Sequence, residues 1–170
     1  MNQIVSISLR FLLLFFLQVL VLNNLEIGWG TYIMVYPFFI LLLPFEMGVI
    51  PLMLISFFMG ISIDSLSNTF GMHASAAVLV AYLRPFIFKA FAPRDGYDSV
   101  ESAGIRVLGF QWLLGAYGTL LVIHHLWFFI LESLQLNEIL LILRKVGLSV
   151  PLSFAFSLLV QFIFMRRRGE

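Results

Sequence analysis

Apolar residues run through this chain in long blocks broken by short polar turns, without strict alternation of apolar and polar positions. Blocks of this kind predict helices, and a helix needs about 20 apolar residues to cross about 30 Å of hydrocarbon. Only a helix or a closed barrel satisfies every backbone group in lipid, and the alternation of a barrel strand is missing. Six spans are expected, near residues 4 to 22, 29 to 44, 47 to 64, 71 to 91, 107 to 133 and 147 to 165. The second is the least regular. Gly30 opens it, Pro37 interrupts it and Pro44 closes it, so tilted, kinked and partly re-entrant forms all stay open. Pro44, Phe45 and Glu46 predict a tight turn, and Pro51 falls in the first turns of the third span, where proline is tolerated. Spans two and three are therefore expected to form a hairpin.

Two further stretches stand apart from the spans. Residues 92 to 106, APRDGYDSVESAGIR, mix Pro, Gly and both charges and predict a solvated loop. Residues 134 to 146, LQLNEILLILRKV, place apolar residues at helical spacing, and either lie on the membrane surface or lengthen the last span.

Composition agrees with a membrane protein. The 170 residues are 61% hydrophobic and 11% charged, and 19 are Phe, more large apolar surface than a water-soluble domain of this length hides. The expectation is a single polytopic, all-α membrane domain over residues 1–170. The first block is read as a retained span, because Asn23, Asn24 and Glu26 follow it in place of a small-residue cleavage pattern. With no cysteine there is no disulfide, thiolate nucleophile or thiolate metal site. Orientation follows from the basic residues. Arg10, Arg84, Lys89, Arg94, Arg106 and the run Arg166, Arg167, Arg168 fall at one set of span ends, and Arg144 with Lys145 at the other. This bias, with an even number of spans, puts both termini in the cytoplasm. Trp29, Tyr32 and Trp127 are candidate interfacial anchors.

The chemistry concentrates in DSLSNTFG, residues 64–71, between two lipid-compatible stretches. Three readings of Asp64 compete. Asp, Ser, Asn and Thr bond nearby backbone amides, so the cluster can close span three and cap span four near Ser67 to Thr69, with Gly71 where backbone approaches backbone. An ionisable group inside a membrane is also a candidate for ion, substrate or partner recognition. Catalysis is the third, and it needs a matched partner that the sequence does not supply in any recognisable motif. His73, His124, His125 and Glu132 raise a metal site, but adjacent histidines point about 100° apart on a helix and the HExxH pattern is missing. No enzyme activity, cofactor or metal is expected. Gly60 and the small residues Ala74, Ser75, Ala76 and Ala77 mark surfaces where helices approach closely, inside the bundle or at a docking face. Arg84, before Pro85, is read as anchoring the end of its helix by reaching toward headgroups. Arg166, Arg167 and Arg168 are read as topology determinants touching anionic lipid, and no nucleic-acid partner is expected.

The stretch FFMGISIDSLSNTFGMHASAAVLVAYLRP, residues 57–85, resembles the signature region of the MreD family, the rod-shape-determining membrane proteins of bacteria. The positions that carry the likeness are Gly60, Asp64, Leu66, Gly71, Ala76, Ala81 and Tyr82, with Arg84 closing the segment. Length, the polar first loop NNLEIGWG and the basic tail agree less specifically. The resemblance implies a noncatalytic scaffold in the bacterial inner membrane that holds the transmembrane helix of an MreC-like protein. Its implied associates are MreB, RodA and a class B penicillin-binding transpeptidase. It also implies a fold similar to the membrane substrate-binding component of energy-coupling-factor transporters. A small-molecule-binding transporter component is the alternative function, and it would need a polar cavity built from residues such as Asn23, Asn24, Glu26 and Asp64. An intramembrane hydrolase ranks third.

Overall fold

The computed structural model describes residues 3–25, 27–94, 96–97, 105–134 and 138–164. Its regular elements are helical: α1 (Gln3–Phe16), α2 (Pro37–Leu42), α3 (Val49–Ser67), α4 (Met72–Ala90), α5 (Ile105–Trp112), α6 (Gly118–Ser133) and α7 (Ile139–Phe164). A π turn over Leu17–Val21 and a short 3-10 turn over Leu22–Asn24 continue α1, and a second π turn over Leu113–Tyr117 joins α5 to α6. Among the described residues four continuous helical stretches are long and apolar enough to cross a membrane: Gln3–Asn24, Val49–Ser67, Leu108–Ser133 and Ile139–Ile163. Helix α4 is as long as α3 but is not among them, since His73, Arg84 and Lys89 reduce its apolar character. Exposed apolar residues such as Leu9, Phe16, Phe58 and Phe162 cover the outside, the surface a bundle shows to lipid.

The segment expected as the second span departs most from a helix. Residues 31–35 adopt no regular structure, and α2 has only six residues. Yet Met34 to Leu43 are almost wholly buried, so this irregular chain runs through the middle of the bundle. Non-helical backbone survives at such a place only when protein groups replace the missing ladder. The backbone N–H groups of Tyr32 and Met34 donate to Ser149 Oγ and Ser153 Oγ of α7, at 3.1 and 2.9 Å. On the other side Val35 N–H donates to Gln18 Oε1 at 2.8 Å, and Gln18 Nε2 donates to the Ile33 carbonyl at 2.9 Å. The alternation is that of an extended chain. Two extended residues rise about 6.6 Å and four helical residues about 6 Å, so serines four apart on α7 meet every second amide.

The carbonyl end of α2 is closed by cations. Arg84 donates to the carbonyls of Leu41, Leu43 and Pro44, and Arg10 to that of Leu42. Arg84 is 2% exposed, so the headgroup-anchor expectation is corrected: its guanidinium turns inward, because free carbonyls at a helix end attract it more than a lipid surface it would reach only by leaving them. The Arg84 cation also lies 4.4 Å from the ring centre of Phe88.

Helices α3 and α4 form a hairpin whose contact depends on Gly60. A Cβ there would sit 2.4 Å from Ala74 Cα and 2.7 Å from the His73 carbonyl, both backbone atoms that cannot swing aside. Ala74, Ala76 and Ala77 are buried, so these small residues serve internal packing. Gly60→Ala is expected to destabilise the protein by about 1–3 kcal/mol, the usual range for overpacking, read as a lower unfolding midpoint in detergent. Residues 134–146 are settled from Ile139 onward: they lengthen the last helix, which runs unbroken through Pro151. Arg166, Arg167 and Arg168, together with Glu26 and most of the loop before α5, lie outside the described residues.

Candidate functional site

The polar turn is built around the Asp64 carboxylate. Asp64 lies in the last turn of α3 and is 4% exposed. Its Oδ2 accepts from Ala74 N–H at 2.8 Å, and its Oδ1 accepts from His73 N–H at 3.1 Å and from the Thr69 hydroxyl at 2.5 Å. The side chain thus caps α4 from the neighbouring helix, where unpaired N–H groups and the positive end of the dipole favour an anion. The cap is placed differently from the Ser67 to Thr69 expectation: Thr69 orients the carboxylate, and Asp64 itself takes the α4 amides. Between them Asn68, Phe70 and Gly71 hold φ of 55°, 45° and 88°, a left-handed path that lets four residues reverse the chain. Gly71 has open space around its Cβ position, so its role is this conformation, and the close backbone approach belongs to Gly60. Leu66 and Tyr82 are exposed on the apolar surface, 63% and 47%.

Behind the cap lies a buried polar chain that joins four elements. Tyr36, just before α2, sits with its hydroxyl 2.5 Å from His124 Nε2 of α6 and 3.2 Å from His73 Nδ1 of α4. His125 meets Ser153 Oγ through Nε2 at 3.0 Å and the Leu121 carbonyl through Nδ1 at 2.8 Å. Tyr117 and Ser157 pair at 2.7 Å. The histidines thus face hydroxyls and carbonyls, and among the described residues no group of three His, Cys, Asp or Glu side chains is placed to hold a metal ion. These contacts tie the chain before α2 to α4 and α6, and α6 to α7, while His124 Nδ1 is buried with no hydrogen-bond partner among the described residues.

Above this network, where α1 ends, α3 turns into α4 and α6 ends, a cavity of about 590 Å³ opens. Asn23 and Asn24 line it, as the alternative function expected, whereas Asp64 does not, being committed to the cap. Glu132, His73 and Tyr32 add polar groups, and Phe128 an aromatic face. Glu132 pairs with Lys145 at 2.7 Å. The loop along the rim is left-handed at Gly28, Trp29 and Gly30, with φ of 76°, 60° and 70°, and Arg144 stacks 4.5 Å from the ring centre of Trp29. Glycine takes such backbone freely, and only Trp29 adopts it at a steric cost.

The sequence reading missed Gln18, Tyr36, Ser149 and Ser153. A usable signal was present: polar residues in otherwise apolar helices, with serines at 149, 153 and 157 repeating at the helical spacing of four. Comparison with protein-family models, curated proteins and solved structures finds no match to this chain.

Proposed function

We propose that this chain is an MreD-like scaffold of the lateral wall-elongation machinery, a noncatalytic protein that holds and regulates an MreC-like partner through its transmembrane helix. On this reading it crosses the bacterial inner membrane six times with both termini in the cytoplasm. The two passes beyond the four long apolar helices are the chain through α2 and the helix α4. MreB, RodA and a class B penicillin-binding transpeptidase are its wider associates.

The observation that carries the reading is the engagement of Asp64. In the stretch that bears the resemblance, the acidic side chain gives both oxygens to the start of α4 and to Thr69, which supports a part in setting the geometry of the hairpin. The inward clamp on α2 further supports a rigid body against which another helix can rest. Depletion in a rod-shaped host tests it. Rounding of the cells is expected, and cells that keep their rod shape would remove the proposal.

A second reading, the small-molecule-binding component of a transporter, is favoured by the cavity beside the polar turn. Uptake of a specific solute that depends on this chain, in cells of unchanged shape, would place it first.

A further inference from the structure

The cavity has a chemistry of its own, and it rests on the geometry alone, independent of the scaffold reading. Its volume, about 590 Å³, falls within the usual size of small-molecule sites. His73 lines it while 4% exposed. The Tyr36 hydroxyl reaches His124 Nε2, His73 Nδ1 and the His73 carbonyl at 2.5, 3.2 and 3.3 Å, so its single proton is shared among three neighbours. His73 Nε2, the other ring nitrogen, has no hydrogen-bond partner among the described residues and can pair with a ligand hydroxyl as donor or as acceptor.

Asn24 adds a free acceptor, since its amide nitrogen is held by the carbonyls of Val19 and Leu20 and its Oδ1 is unused among the described residues. Glu132 supplies carboxylate oxygens whose charge is balanced by Lys145. Tyr32 and Phe128 contribute ring surface that suits the C–H face of a ligand ring. A wall that sets acceptors beside the hydroxyls of Thr31 and Tyr32, carries no net charge and has aromatic faces fits a ligand whose groups both donate and accept hydrogen bonds, which has no formal charge and one apolar face.

We propose that this cavity binds a neutral, hydroxyl-rich ring, a free monosaccharide or the glycosyl headgroup of a lipid, with Asn24 Oδ1 and Glu132 accepting from its hydroxyls and His73 Nε2 paired with another. The left-handed loop at Gly28, Trp29 and Gly30 forms the rim over which such a ring enters.

The test uses the purified full chain in a zwitterionic detergent that has no sugar headgroup, with thermal unfolding as the readout. N-acetylglucosamine is the free probe and monoglucosyl diacylglycerol the lipid probe. At a probe concentration a hundred times Kd, the unfolding midpoint is expected to rise by about 5–10 °C. A rise with the free sugar assigns a soluble ligand, and a rise with the glycolipid alone assigns a headgroup. Met72→Trp, which fills the cavity from the first turn of α4, should keep the unliganded midpoint and lose the rise. If that variant does not fold, Asn24→Leu serves, with a rise at least threefold smaller at equal probe concentration. No rise with either probe, or an undiminished rise in the filled variant, overturns the proposal. Loss of rod shape on depletion would be unaffected by that failure, so the two conclusions fall separately.

Discussion

Replacing Arg84 by Leu is expected to lower stability by about 3–5 kcal/mol, the largest effect of any single substitution considered for this chain. Arg84 is 2% exposed and has no carboxylate beside it among the described residues. Removing such a charge relieves a desolvation cost of several kcal/mol, which by itself would stabilise the protein. Against this stand three charge-assisted hydrogen bonds, to Leu41, Leu43 and Pro44, each contributing about 1.5–3 kcal/mol. The negative end of α2 and the face of Phe88 add about 1–2 kcal/mol each. The attractive side is the larger, and Leu would leave the carbonyls buried without their donor. Arg84→Lys should fall between, because an ammonium keeps the charge but not the fork that reaches several carbonyls. Denaturant unfolding in mixed micelles ranks the three. Amide exchange at Leu41 to Phe45 should quicken in the Leu variant, and unchanged exchange there would mean that Arg84 does not hold the end of α2.

Asp64→Ala is expected to cost about 2–4 kcal/mol, since it removes the acceptor of the His73 and Ala74 amides and of the Thr69 hydroxyl together. Asp64→Asn keeps one acceptor oxygen and should cost about half as much. The pair separates a cap from an active carboxylate. A cap loses folded protein in the order Asn, then Ala, with whatever function remains scaling with that amount. A catalytic group would lose function fully in Asp64→Asn at normal protein level.

The long helices were legible because their information is local. Apolar runs of bilayer length mark α1, α3, α6 and α7 wherever the chain packs them, and the prolines at 37 and 44 marked the second segment as irregular. The form that irregularity takes was not legible. The amides of Tyr32 and Met34 are held by serines 117 and 119 residues away in sequence, and no local pattern announces pairings of that range. Arg84 was misplaced for the same reason. It closes an apolar run, which suggests a headgroup contact, while the carbonyls it serves belong to the end of α2 and the two residues after it, 40 or more residues earlier. Asp64 was readable as a turn residue from its polar neighbours, but which amides it would take depended on the close approach at Gly60. The convergence of Tyr36, His73 and His124 rests on three elements meeting and has no signature in spacing.

The most direct measurement of the central claim is affinity purification of the tagged full chain from gently solubilised membranes of its own host, with the copurifying proteins identified by mass spectrometry. A scaffold of wall elongation should bring down an MreC-like single-span protein in fixed ratio to itself, and Asp64→Asn should retain it in proportion to the folded protein that remains. Recovery of the wild-type chain, folded and without such a protein, would contradict the account.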